Sequence, residues 1–542
     1  MNLKKIKYIS LGLFACLVIF HIANNLFFLA RNPLPEGKDS YAHITAFSNF
    51  KQIIENIQNN PFFRSEKSLV YNLVFVVIDY PPLFYMSAYL INLLLGSFLL
   101  NAVLLTNTFY MIILLLSVYF IANRINPIAA IISAFVCSMY PIVFIASRHF
   151  SLELAIASIA ALSVLLLIKT DCFLDRKNSF YLGVCLGLGM LIKQTFIIYV
   201  GGPLIFYVWT SLIAEQPVSA KNKKKVNITL CLLIGVLISL IFYYNKAVYF
   251  NILNRAGFIG AVNSANLFSL EHITYYFRIL PQTIGYFFLL VLVGCLFYLR
   301  NIKAEIRTVL GLWLLVPLVF FTFVKLKYGE YTIAYLPALS LISGIVISQI
   351  SKKTIRVLVI ASMILIGGLN YYLLSFNIVS NFYSTYYLPV PDVELAYSET
   401  TIKTPDKLLE DIAFSNSKIG IFYDTDPNTL IFPSYFIRSV GINPKKNAQI
   451  VEFYFSPDIF FHVLDDFDIM FFITHSEESW ITEQSFNQLI CEINDKQMNL
   501  LQIKQADIIR LINFVGKFAK PDMIIFDKPN KQEKIYIYKR NK

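Results

Sequence analysis

The chain has 542 residues, 57% of them hydrophobic and only 15% charged, whereas soluble domains carry about 25% charged residues; the composition excludes an ordinary soluble protein. A net charge of +12 invites a nucleic-acid partner. The basic clusters, however, sit in short links beside apolar runs, as in the positive-inside pattern of membrane proteins, so no nucleic-acid partner is expected. The seven cysteines form no CxxC pattern and indicate neither a disulfide framework nor a cysteine metal site.

In chain order, Lys4, Lys5 and Lys7 precede an apolar run from Tyr8 to Phe28. The run resembles a signal sequence but is long and lacks a small-x-small cleavage pattern, so it reads as a retained anchor helix. A helix crosses hydrocarbon in about 20 residues. On that measure the crossings are 8–29, 105–122, 127–145, 151–169, 180–197, 198–214, 227–245, 282–299, 307–324, 331–349 and 354–374. The apolar segment 83–101 is ambiguous. With the N-terminus inside and 83–101 not crossing, Arg124, Lys169 to Lys177, Lys221 to Lys225, Arg300 to Arg307 and Lys352 to Arg356 all fall inside. If it crosses, all of them flip outward. The charge rule favours the first drawing, with 83–101 interfacial or re-entrant; the alternative is a true crossing paired with a further segment. The expected fold is a polytopic α-helical membrane protein, with about 11–13 membrane helices over residues 1–375.

This topology turns four places outward: 30–104, 146–150, 246–281 and Lys325 to Glu330, with Lys193 near the outer end of its helix. The first outer loop, 30–82, places Asp39, Tyr41, His43, Asp79 and Tyr80 beside a membrane surface. Within it, Ala46 to Ile57 has the apolar spacing of an amphipathic helix lying on the membrane. Loop 246–281 carries Arg255, Glu271, His272 and Arg278, which read equally as headgroup contacts or as solvated charges. The tail, 376–542, alternates strand-like and helical runs (KIGIFYDT, FDIMFFIT, FNQLICEIN, MIIFDKP, KIYIYKR). It is expected to form a C-terminal extracytoplasmic α/β domain.

Ionisable groups at a membrane are costly and default to functional hypotheses. The strongest set combines one carboxylate, Asp39, with the cations Arg148, Lys193 and Lys327, a composition suited to a phosphate-bearing lipid and a hydroxyl or amine to be activated. Each has an ordinary reading beside it. Asp39 caps a helix starting near Tyr41, Arg148 pairs with Glu153, and Lys193 snorkels from a helix end. The glycines at 183, 187 and 189 allow close helix packing beneath Lys193. Lys325, Lys327, Glu330 and Tyr331 form a further outward cluster.

Read together, these segments resemble polytopic glycosyltransferases of the GT-C type that use polyprenyl-phosphate-linked sugars. These include the protein O-mannosyltransferases, the aminoarabinose transferases of lipid A and the rhizobial lipopolysaccharide core transferases. Asp39-Ser40-Tyr41 resembles the acidic motif of the first outer loop, with Ser40 where a second acid often stands. Tyr80-Pro81-Pro82-Leu83-Phe84-Tyr85 is similar to the family's aromatic or histidine followed by Pro-Pro. Ser147-Arg148-His149-Phe150-Ser151-Leu152-Glu153 is similar to Ser-Arg-Tyr-x-Leu-Leu-Asp, with Glu153 in place of the Asp. Gly187-Leu188-Gly189 through Lys193 and Lys327 through Tyr331 to Pro337 resemble the two lysine motifs.

The resemblance implies transfer of one sugar, with inversion, from a polyprenyl-phosphate donor to an extracytoplasmic glycan, lipid or protein acceptor. Asp39 would be the general base and Glu153 a second carboxylate or a partner orienting Arg148. Arg148, His149, Lys193 and Lys327 would bind the donor, and Tyr41, His43, Tyr80 and Tyr331 would shape the sugar pocket. No cofactor is required; a divalent metal is compatible with the chemistry but has no ligand cluster behind it. The expected location is the inner (plasma) membrane, with the N-terminus cytoplasmic and the tail outside. Two other classes compete: a transporter or flippase, which predicts inverted repeats and broken helices at mid-membrane, and a non-catalytic scaffold with an outer recognition domain. Sugar and acceptor are not legible.

Overall fold

The computed structural model describes residues 3–31, seven helical positions between 43 and 54, 80–96, 102–213, 217–244, 267–325, 327–376 and six strands beyond 400. The chain divides into two compact units, one running to Tyr397 and the other holding Ser398–Lys542.

Among the described residues the first unit is all helix. Its helices are α1 (Leu3–Arg31), α2 (Leu83–Leu95), α3 (Thr106–Asn123), α4 (Pro127–Met139), α5 (Pro141–Ala146), α6 (Leu152–Lys169) and α7 (Arg176–Met190). They continue as α8 (Phe196–Ile213), α9 (Val218–Tyr243), α10 (Leu270–Ile284), α11 (Tyr286–Leu296), α12 (Ala304–Thr322), α13 (Leu336–Ser348) and α14 (Lys353–Phe376). Among the described residues, 7 helices are long and apolar enough to cross a membrane, or 8 if the bent pair α10–α11 is one span. That is fewer than the apolar runs suggested, and the reason is local. The run 127–145 breaks at Tyr140, whose extended backbone (ψ 124) precedes Pro141, because proline disfavours the helical region for its predecessor. The run 331–349 opens as a single 3-10 turn, Gly329–Thr332, before α13 begins at Leu336. Helix α2 has 13 residues, too short to cross alone.

Helices α10 and α11 meet at 115°. The hinge is Gly285, at φ +87, a conformation side chains rarely adopt. Helices α7 and α9 lie unusually close. A Cβ on Gly183 would stand 2.5 Å from the Cys231 carbonyl oxygen, and one on Gly187 2.5 Å from Ile238 Cβ. Small residues thus let the two backbones approach, as the glycine spacing suggests. The described positions between 43 and 54 are helical, with Ile44, Phe47 and Phe50 buried. The Phe47 ring meets Phe150 at 6.1 Å, so this face packs on protein.

In the second unit the described strands, β1 (Thr401–Lys403), β2 (Ile419–Tyr423), β3 (Ile450–Tyr454), β4 (Ile469–Thr474), β5 (Asp522–Lys528) and β6 (Lys531–Lys539), form one sheet. Its order is β1-β5-β6-β4-β2-β3. Strand β2 pairs in parallel with β3 and β4; the other pairings are antiparallel. Four of the expected strand-like runs are strands β2, β4, β5 and β6. The run FNQLICEIN lies outside the described residues.

Candidate active site

Helix α7 ends at Met190, three residues before Lys193, and the chain wraps back on its own last turn. Leu191 and Ile192 donate their amides to Gly187 O and Gly189 O at 3.1 Å each. Phe196 N then donates to Lys193 O at 3.1 Å, opening α8. This turn presents the Lys193 side chain inward. Leu83 N donates to Leu191 O at 3.0 Å, tying the start of α2, just after Tyr80-Pro81-Pro82, to the same turn.

Opposite stands Glu153, in the first turn of α6, where the helix dipole favours a carboxylate. The preceding loop is fixed from α3: Asn107 Nδ2 donates to His149 O at 2.6 Å and to Ser151 O at 2.8 Å. Lys193 Nζ lies 2.7 Å from Glu153 Oε1, with side chains only 10% and 8% exposed. Each of these buried charges is balanced by the other, which offsets the cost of taking either out of water alone. Among the described residues the second carboxylate oxygen, Oε2, is buried with no hydrogen-bond partner. The ion pair therefore leaves acceptor capacity on Glu153.

Aromatic rings close around the pair. Lys193 Nζ stands 5.4 Å from the Tyr80 ring centre and 5.6 Å from that of Tyr331, within cation–π range. Tyr331 stacks on Phe321 at 4.6 Å, and its carbonyl accepts from Tyr199 OH at 3.1 Å. Tyr80 meets the His43 ring edge-on at 5.2 Å, and His43 Nδ1 lies 2.8 Å from Tyr85 OH. The structure thus gathers Glu153, Lys193, Tyr80, Tyr331 and His43, which lie far apart in sequence. Tyr85 and Tyr199 belong with them and were missed; Tyr85 stood in plain view in the Tyr80-to-Tyr85 run, whereas nothing marked Tyr199 among many apolar neighbours.

Lys327 lies at the end of α12. Its Nζ donates to Phe321 O and Thr322 O, both at 2.7 Å, capping the C-terminus of α12. It stands 5.2 Å from the Tyr276 ring centre. Burial lowers its pKa to about 8. Glu271 and Arg278 lie together at the exposed start of α10, with Arg278 Nη2 3.5 Å from Glu271 Oε1.

Arg148 is placed differently. Glu153 pairs with Lys193 and not with Arg148. The guanidinium donates to Asn25 Oδ1 at 3.0 Å, Ser375 Oγ at 3.0 Å and Tyr371 OH at 2.6 Å, between α1 and α14. His149 enters the network above through its carbonyl. Asp39 and Tyr41 lie outside the described residues, as do Asp79 and Arg255. Among the described residues no group of three or more His, Cys, Asp or Glu side chains gathers to hold a metal.

A family model described as dolichyl-phosphate-mannose-protein mannosyltransferase matches residues 79–242, a stretch holding Tyr80, Arg148, Glu153 and Lys193. No curated protein matches the sequence. Among solved structures, the chain is similar to ArnT from Cupriavidus metallidurans in the apo state, with 13% identity over 88% of this chain and 95% of that one and a TM-score of 0.53. It is also similar to the same protein bound to undecaprenyl phosphate, with 13% identity over 96% of this chain and 97% of that one and a TM-score of 0.56. The fold is that of a polytopic α-helical membrane protein of GT-C type.

Proposed function

We propose that the protein is an inverting glycosyltransferase of the inner membrane. It moves a sugar from a polyprenyl-phosphate donor to a glycan, lipid or protein acceptor, such as a lipopolysaccharide, outside the cytoplasm. The observation that carries this reading is the buried Glu153–Lys193 pair walled by Tyr80 and Tyr331, in the stretch matched by the mannosyltransferase model. The shared fold with a protein that was solved bound to undecaprenyl phosphate supports it.

In this mechanism Asp39 takes the proton from the acceptor hydroxyl or amine. The freed lone pair attacks the anomeric carbon opposite the phosphate. The bond from that carbon to the phosphate oxygen breaks, its electron pair leaves with the polyprenyl phosphate, and configuration inverts. Lys193 and Lys327 stabilise the charge growing on the departing phosphate. The protein's job here is electrostatic preorganisation, and the water-poor setting of Lys193 strengthens it. Glu153 fixes Lys193, and its free oxygen accepts a hydroxyl of the sugar or acceptor. Tyr80, Tyr331, His43 and Tyr41 shape the sugar pocket. Polyprenyl tails lie among the apolar helices, and the sheet unit is read as an extracytoplasmic α/β domain. A chelator titration decides whether a divalent metal takes part.

The test is Asp39→Asn in a chain that still inserts normally in the membrane. Transfer is expected to be lost; full activity in this variant would sink the general-base assignment.

A further inference from the structure

Arg148 invites a phosphate-binding role on its chemistry alone, because a guanidinium matches a phosphate in a bidentate contact. Its surroundings point elsewhere. Three of its N–H donors are committed to neutral side-chain oxygens on two helices at opposite ends of the chain: Asn25 on α1, and Tyr371 and Ser375 on α14. The guanidinium carbon lies 4.6 Å from the Phe28 ring centre on α1 and 5.2 Å from that of Tyr371. Arg148 itself is 4% exposed. Its acceptors are anchored in turn. Asn25 Nδ2 donates to Thr108 Oγ1 and Ser147 Oγ at 2.9 Å each, and the Tyr371 ring packs on Phe144 at 4.5 Å. Helices α1, α3, α5 and α14 thus converge on one side chain.

We propose that Arg148 is a positioning residue, a clamp that fixes the outer ends of α1 and α14 against the loop leading into Glu153. Helix α1 ends at Arg31, shortly before Asp39, and α14 ends at Phe376, where the chain leaves for the sheet unit. The clamp holds the end of α1 that precedes Asp39 in the sequence, and it acts on the reaction by positioning and not by touching the phosphate. This consequence rests on the glycosyl-transfer reading; the clamp itself does not.

The test compares Arg148→Lys with the double variant Tyr371→Phe/Ser375→Ala, which keeps the cation and removes two of its acceptors. Two readouts are taken on the full chain: amide hydrogen exchange in the last turns of α1 and α14, and affinity for undecaprenyl phosphate. A clamp predicts exchange faster by about tenfold in both variants, with undecaprenyl phosphate affinity held within about twofold. Transfer falls in both, in kcat and not in KM for the donor. A phosphate ligand predicts the reverse: affinity lost in Arg148→Lys, the double variant like wild type, and exchange unchanged. That pattern would overturn the proposal. If the wild-type chain fails to bind undecaprenyl phosphate or to transfer sugar, the functional reading fails, and the exchange measurement still decides the clamp.

Discussion

Glu153 and Lys193 are each tolerable in their place because the other is there. Removing one partner of a buried ion pair leaves an uncompensated charge, typically at a cost of about 3–5 kcal/mol, whereas removing both is often close to neutral. Lys193→Met is therefore expected to lower the thermal midpoint of the purified protein markedly, and Lys193→Met/Glu153→Leu to recover most of it without recovering transfer. Equal midpoints for the two variants would show that the pair is not coupled. Lys327 makes a pH prediction. Its folded pKa of about 8 lies below the ordinary lysine value, so the unfolded chain holds more protons between there and the ordinary value. Its contribution to stability rises with pH across that window and is unfavourable below it. The functional sign is opposite. As pH rises through about 8 the cation is lost, and affinity for undecaprenyl phosphate should fall between neutral and alkaline pH. Lys327→Arg, charged throughout, should flatten that profile; an unchanged slope would remove Lys327 from the phosphate site.

At the scale of elements, the turn bearing Lys193 depends on how closely α7 and α9 approach. A side chain at Gly187 would meet Ile238, so Gly187→Leu should push the helices apart and shift the lysine. Displacements of about 1 Å cost roughly a hundredfold in rate. The expected result is a large fall in kcat with the protein still folded, read by transfer assay beside a thermal melt; wild-type kcat would contradict this packing account. The same elements show what the sequence could convey. Charge in the links and length of apolar runs gave the polytopic helical fold, and the glycine spacing gave the α7–α9 contact. Apolar runs do not reveal where a helix stops inside them, so the break at Tyr140-Pro141 is hidden within the run 127–145, and the helix Leu270–Ile284 ahead of Gly285 is hidden within a segment that reads as loop. At the site, motif order placed Tyr80, Glu153, Lys193 and Tyr331 on one face. It did not show which carboxylate met which cation, because that depends on the packing of α1 and α14, distant in sequence from Arg148.

On the scale of the whole molecule, the helical unit supplies a buried charged pair, an aromatic wall and a second lysine on a GT-C-type fold, and the proposed sugar transfer rests on them. The most direct test is mass analysis of membrane lipids and surface glycans from cells with and without the active chain, using Asp39→Asn as the inactive form. The account predicts one lipid or glycan species heavier by a single sugar unit only where the active chain is present, with undecaprenyl-type phosphate released. Identical mass profiles, with both forms inserted in the membrane at equal levels, would contradict it.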